Sequence, residues 1–109
     1  MKASSLRHRI TLLTQQSVVN ELGEHLAEWT PIKKIWAHVT PLSVKDVIAA
    51  QGTGSRMVAR CTIRYQAGIT SGMRIVHKDQ LYDITGDPLP DPRTGKEYLT
   101  LMLESISGD

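Results

Sequence analysis

Apolar and polar positions alternate with period two along most of this chain, and a single stretch breaks that rhythm. Leu6, His8, Ile10 and Leu12 point to one side, with Arg7, Arg9, Thr11 and Leu13 opposite. Such alternation predicts a half-buried strand from Leu6 to Thr14. It lapses in QQSVVNELGEH, where Asn20 to Gly23 reads as a turn. LAEWT is a short strand candidate. IKKIWAHVTPL is a stronger one, with Ile35, Ala37 and Val39 on one face and Trp36, His38 and Thr40 on the other. Pro41 lacks the N–H that a ladder bond needs, so this strand is expected to end there.

SVKDVIAAQ changes period. Ser43 with Asp46 three residues on is the pattern of a helix N-cap. Val44, Val47 and Ile48 then form an i, i+3, i+4 stripe, Gly52 stops it, and QGTGS follows as a loop. The helix thus sits in an excursion over about residues 43–56. RMVARCTIRY alternates most cleanly: Met57, Ala59, Cys61, Ile63 and Tyr65 are predicted inward, and Arg56, Val58, Arg60, Thr62 and Arg64 outward. MRIVHKDQLYDITG predicts a hairpin turning near Lys78-Asp79. In DPLPDPRTGK, Pro88, Pro90 and Pro92 are expected to forbid regular pairing. EYLTLMLES closes the chain with Leu99, Leu101 and Leu103 on one face. The fold class is therefore all-β. Six or seven short, mostly antiparallel strands and one short α-helix form a single domain over residues 1–109, as a small β-barrel or sandwich.

Composition sharpens this picture. Apolar residues at 40% and charged ones at 22% of 109 positions suit one globular core and exclude wholesale disorder. Phe is absent, and Trp29, Trp36, Tyr65, Tyr82 and Tyr98 all fall in or beside strand segments, so these five rings are expected in the core. A formal net charge of +2 is too small for bulk electrostatics alone to hold the chain on DNA. The lone Cys61 excludes an internal disulfide and a multi-cysteine metal site. No apolar run is long enough to span a membrane, and MKASS lacks the apolar stretch of a secretory signal, so a reducing, cytosolic setting is expected.

Catalytic and metal chemistry find little support. His8, His25, His38 and His77 show no zinc-ligand spacing, and convergence in space is their only route to a shared site. Asp83, Asp87 and Asp91 lack the ligand spacing of a calcium loop and read as turn-forming acids. Cys61, on an inward strand face, reads as a desolvated, inert thiol. GTGSR lacks the Gly-Lys-Ser/Thr of a phosphate loop, and no nucleophile elbow or acid–base pair is visible. No catalytic, metal or cofactor residues are assigned, and no cofactor or small-molecule substrate is expected.

Two surface features remain. Arg56, Arg60 and Arg64 are predicted on one strand face, roughly 13 Å between successive arginines at about 3.3 Å per residue. That spacing can track a phosphate backbone, although Val58 and Thr62 provide no ring for base stacking between them. The Val44, Val47 and Ile48 stripe belongs to a helix too short to persist alone in water, so it packs on its own barrel or on a partner.

The order of these segments carries more than any one of them. LRHRITL, the Gly23-Glu24 turn leading to Trp29, WAHVTPL running into SVKDVIAAQ, TIRYQAGI, LYDITG and a terminal apolar strand follow one another over Leu6 to Glu104. LRHRI, and IRY followed by Gly68-Ile69, are the most distinctive pieces. In this order the chain resembles the head-tail connector family of tailed bacteriophages, the small head-closure, stopper or head-tail joining proteins. Asp46 stands where the family tends to have Glu, and the approach to the last strand, DPLPDPRTGKEY, is Pro-rich; both depart from the pattern. The resemblance implies a β-barrel with a helix-containing excursion and no catalysis. It implies a ring, dodecameric on the virion, that sits beneath the portal, seals a DNA-filled head and docks the tail.

The expected partners are then other copies of the chain, a portal or adaptor protein and a tail-completion protein, with transient contact to packaged DNA and no membrane. The protein would be made in the bacterial host cytoplasm and reside at the head-tail interface of the virion. Val44, Val47, Ile48 and Met57 are the expected apolar partner contacts. Arg56, Arg60 and Arg64 form a basic strand facing DNA or a neighbouring subunit. Arg7 and Arg9 read as solvated or subunit-contacting, and His8 as satisfied and partly buried. The alternative from another class is a nucleic-acid-binding barrel of the OB or SH3 type that uses the arginine strand.

Overall fold

A computed structural model describes residues 6–106; residues 1–5, with the MKASS segment, and residues 107–109 lie outside the described part. The elements are β1 (His8–Val19), β2 (His25–Pro41), α1 (Val44–Gly52), β3 (Met57–Arg64), β4 (Arg74–His77), β5 (Gln80–Pro90) and β6 (Tyr98–Ser105). Every neighbouring pair is antiparallel, in the order β1-β2-β3-β6-β5-β4. A short β1–β4 ladder from Thr11↔Val76 to Leu13↔Arg74 closes the barrel. Closure leaves no unpaired edge along the shared wall. Among the described residues no helix is long and apolar enough to cross a membrane.

The β1–β2 ribbon is longer than its sequence pattern predicts. LAEWT and IKKIWAHVTPL form one strand rather than two, because a bulge absorbs the break: Leu12 faces Lys33 and Leu13 faces Pro31, which leaves Ile32 as the extra residue. A bulge is where a strand tolerates proline. β1 in turn runs on through QQSVV to Val19. Neither end of this extension has a third strand beside it, since β4 pairs only Thr11–Leu13 and β3 pairs only Ala37–Pro41. Residues 14–30 therefore project as a two-stranded arm, consistent with extents of 50 × 32 × 23 Å. Its turn is built by Asn20, whose side-chain oxygen accepts the N–H groups of Leu22 and Glu24 at 2.9 Å each. At the root of the arm the Arg74 guanidinium lies 4.1 Å from the Trp29 ring centre and donates to Asp83 at 2.9 Å.

The barrel interior is filled by Ile10, Leu12, Ala37, Val39, Ala59, Cys61, Ile63, Ile69, Met73, Ile75, Ile84, Leu99, Leu101 and Leu103. No aromatic residue is buried among the described residues, which overturns the expected aromatic core: Trp36 is 54% and Tyr65 47% exposed, and Trp29, Tyr82 and Tyr98 are half-buried. The bore of a six-stranded barrel explains it. Interior positions there alternate small with large side chains, and the register sets Ala37 beside Ile63 and Cys61 beside Leu101. Rings do not fit that spacing, and flexible or branched aliphatics do. Burial pushes the Cys61 thiol up to about 12, so it stays protonated and unreactive.

Two further expectations are corrected. The prolines do not stop β5: Gly86, Asp87 and Pro88 loop out between Thr85↔Met102 and Leu89↔Thr100, after which pairing resumes to Pro90↔Leu99. β4 begins at Arg74, opposite Asp83, so past the Ile84 N–H bond to the Met73 carbonyl β5 is paired on one side alone and a missing N–H costs little. In β3 a bulge between Met57 and Ala59 breaks the alternation, and Val58 packs against the core. The hairpin at Lys78-Asp79 is as predicted. Both residues have positive φ, 51° and 63°, the geometry of a type I′ turn.

Candidate functional site

Two candidate surfaces lie on the outside of the barrel. The first candidate is α1. Ser43 caps it as predicted, accepting the Asp46 N–H at 3.2 Å. The helix then leans on β3 without burying any residue. Val44 is 77% and Ile48 62% exposed, while Val47 is half-buried. Met57, half-buried, begins the strand that the helix touches. A short helix that leaves its apolar stripe in water is unusual, because such helices derive their stability from burying that face.

The second candidate is a groove of about 770 Å³ lined by Leu6, Arg7, Arg9, Lys34, Ile35, Trp36, Arg64 and Gln66. Its construction follows from the register. Arg9 on β1 is directly opposite Trp36 on β2, and its guanidinium lies 4.8 Å from the indole centre. Trp36 precedes Ala37, which pairs with Ile63, so Arg64 comes alongside on β3. Of the predicted basic strand, the fold thus brings Arg64 to Arg7, Arg9 and Lys34 rather than to Arg56. Arg60 and Arg64 share the outward face of β3, but Arg56 stands before the bulge and outside the strand. The aromatic ring missing from the β3 face is supplied by β2. Sequence alternation puts Arg9 outward and Trp36 on the face opposite Ile35, Ala37 and Val39; Lys34 is not singled out by it, and the strand pairing that assembles the three is out of its reach.

The histidines converge in part. His8 accepts the Val39 N–H at 2.9 Å through Nδ1, which satisfies it as read from the sequence. Its ring centre lies 5.8 Å from that of His38 and 5.0 Å from that of His77. No group of three ligands able to hold a metal is present among the described residues. Partial burial lowers the His77 pKa, with His8 and Lys78 adding like charge. A histidine whose folded pKa lies below its unfolded value costs stability as pH falls below about 6.5, where the unfolded chain takes up the proton first. The melting temperature is therefore expected to drop between about pH 7.5 and pH 5.5. His77→Gln should shrink that drop, as read by thermal melts of both chains at both pH values.

The aspartates resolve into structural roles. Asp83 lies within β5 and pairs with Arg74, so it is a strand residue and not a turn former. Asp91 organises the loop to β6: its carboxylate accepts from the N–H groups of Thr94 at 3.0 Å, Glu97 at 2.8 Å, Tyr98 at 3.2 Å and Gly95 at 3.3 Å. Those donors, Thr94 and Glu97 first, hold it well below the usual carboxylate range.

The comparison with known proteins places these surfaces in a family. Residues 1–106 match the phage head completion protein family. The chain belongs to that family. The head-closure resemblance carried by the ordered segments from Leu6 to Glu104 is thereby borne out. Among solved structures, the solution structure of protein SF1141 from Shigella flexneri 2a is 27% identical with a TM-score of 0.79, and the alignment covers 100% of both chains. A chain from the virion of a native gene transfer agent particle is 16% identical with a TM-score of 0.62, covering 94% of this chain and 97% of that one. At that identity the likeness is one of fold. No curated protein matches the sequence closely enough to count as a relative. The phage head completion family accordingly has here a six-stranded barrel with an extended arm, an exposed helix and a cationic groove.

Proposed function

We propose that this head completion protein is a structural, non-catalytic subunit of the virion. It assembles as a ring beneath the portal, closes the DNA-filled head and offers a surface to the tail. The observation that carries this reading is the unburied apolar stripe of α1, on a chain whose family names the phage head. Exposed apolar surface of this kind marks a contact that the isolated chain does not satisfy. Val44, Val47, Ile48 and Met57 then meet a portal or adaptor protein, or a neighbouring subunit. Arg60 and Arg64 face a neighbour or DNA in transit. The virion location and the lack of a reaction both follow from this role, as does synthesis in the host cytoplasm before assembly.

The direct test is negative-stain microscopy of lysates from the parent phage with this gene deleted, beside a complemented control. The expected result is heads that have lost their DNA, together with free finished tails. Normal virions from the deletion strain would refute head closure and redirect attention to DNA binding by the basic surface.

A further inference from the structure

The arm and the groove lie at opposite ends of the same β1–β2 ribbon, and their surfaces are complementary. From Thr14 to Thr30 the arm carries Glu21, Glu24 and Glu28 and no lysine or arginine. Its exposed apolar side chains are Leu22, 83% exposed, with Val19 and Leu26. The groove carries Arg7, Arg9, Lys34 and Arg64, has no acidic residue in its lining, and is floored by Leu6, Ile35 and Trp36. The arm cannot reach its own groove. Arg9 and Asn20 are eleven strand positions apart, roughly 36 Å at about 3.3 Å per residue.

We propose that the acidic, apolar tip of the arm in one copy seats in the cationic, tryptophan-floored groove of the next copy. This rests on the ring reading and supplies its subunit contact. Two different patches meeting make a heterologous, head-to-tail interface, the kind that generates rings when the rotation closes. Glu21 and Glu24 meet the arginine and lysine side chains, and Leu22 covers apolar surface around Trp36. Duplex DNA matches the charge of the groove equally well. It does not match the Leu6, Ile35 and Trp36 floor, which a phosphate backbone leaves uncovered while an apolar hairpin tip buries it. The second copy is therefore the occupant that satisfies both halves of the groove, and it also accounts for the unburied residues on the arm.

The test is disulfide trapping in assembled virions from a gene-deleted phage complemented with a Leu22→Cys/Gln66→Cys chain. Cys61 is buried and contributes no background. Mild oxidation and a denaturing, non-reducing gel should show a ladder of linked multimers, while each single substitution should show none. Adding Arg9→Glu and Arg64→Glu should weaken the ladder by roughly tenfold or more, and adding Glu21→Arg and Glu24→Arg to that chain should restore it. All four positions are exposed, and melting curves of the purified chains verify that each variant folds. Virions that hold many copies of the chain but give no ladder, or a ladder indifferent to charge reversal, overturn the arm–groove contact and leave the ring intact. Virions that hold no ring overturn both. Loss of salt-dependent binding to a short DNA duplex on Arg9→Glu/Arg64→Glu, without loss of the ladder, reassigns the groove to DNA and also overturns the proposal.

Discussion

Leu101→Ala is expected to destabilise the barrel by about 2–5 kcal/mol, the range for deleting a fully buried leucine from a core that relaxes only in part. Leu101 has no exposed surface and sits mid-strand in β6, beside Cys61 of β3. The buried core around it consists of aliphatics, Cys61 and Met73, with only the half-buried Tyr82 ring packed against it, so the space left is filled only in part. Domains of this size are stable by about 5–15 kcal/mol, so the loss is a large share of the total. It should appear as a fall in melting temperature of roughly 10 °C or more. Trp36→Ala, although it removes the larger side chain, should cost about 1 kcal/mol or less. Its ring is half in water and contributes mainly its contact with Arg9. Denaturant unfolding of the two variants checks this directly, and a Trp36→Ala loss equal to that of Leu101→Ala would contradict the aliphatic core.

Val47→Asp with Ile48→Asp should have the opposite profile, leaving the fold intact and abolishing function. α1 buries no residue, so the double substitution should leave the barrel's melting curve within about 1 kcal/mol of the parent. At an interface, apolar anchors are each worth roughly 2 kcal/mol or more, and a carboxylate in place of each adds the cost of desolvating a charge. The loss of affinity for the partner should therefore exceed about a hundredfold. In complementation of the gene-deleted phage it should read as a comparable fall in plaque titre with the folded protein still present in the lysate. A double variant that assembles normally shows that the stripe is no contact; one that unfolds shows that the helix belongs to the core.

The cap at Ser43, the turn at Asn20–Gly23, the hairpin at Lys78-Asp79 and the inward leucines of β6 are all legible in the sequence. Each depends on residues a few positions apart: a hydroxyl three residues before an N–H, an amide side chain folding onto its own turn, an alternation of period two. The exposed stripe of α1 was legible as a pattern, but its exposure was not, because whether a helix face meets its own barrel depends on where β3 runs beneath it. The single long β2 was hidden by Pro31, since a bulge at Ile32 is visible only once Leu12 and Leu13 have partners. The rings were misplaced for a related reason, as the bore of the barrel, set by strand number and register, decides which side chains fit inside.

What the sequence by itself determined is the set of elements, the inward and outward face of most strands, and, through the order of its segments, the resemblance to head-closure proteins. What only the tertiary structure decided is which outward faces become neighbours. Arg9, Trp36 and Arg64 lie on three strands and become one surface solely because β2 pairs with both β1 and β3 in a fixed register. His8 reaches His38 and His77 in the same way, through pairings that span much of the chain. Local pattern arises from short-range sterics and hydrogen bonding, whereas strand register is selected by closing the barrel around its core, and that closure involves every strand at once.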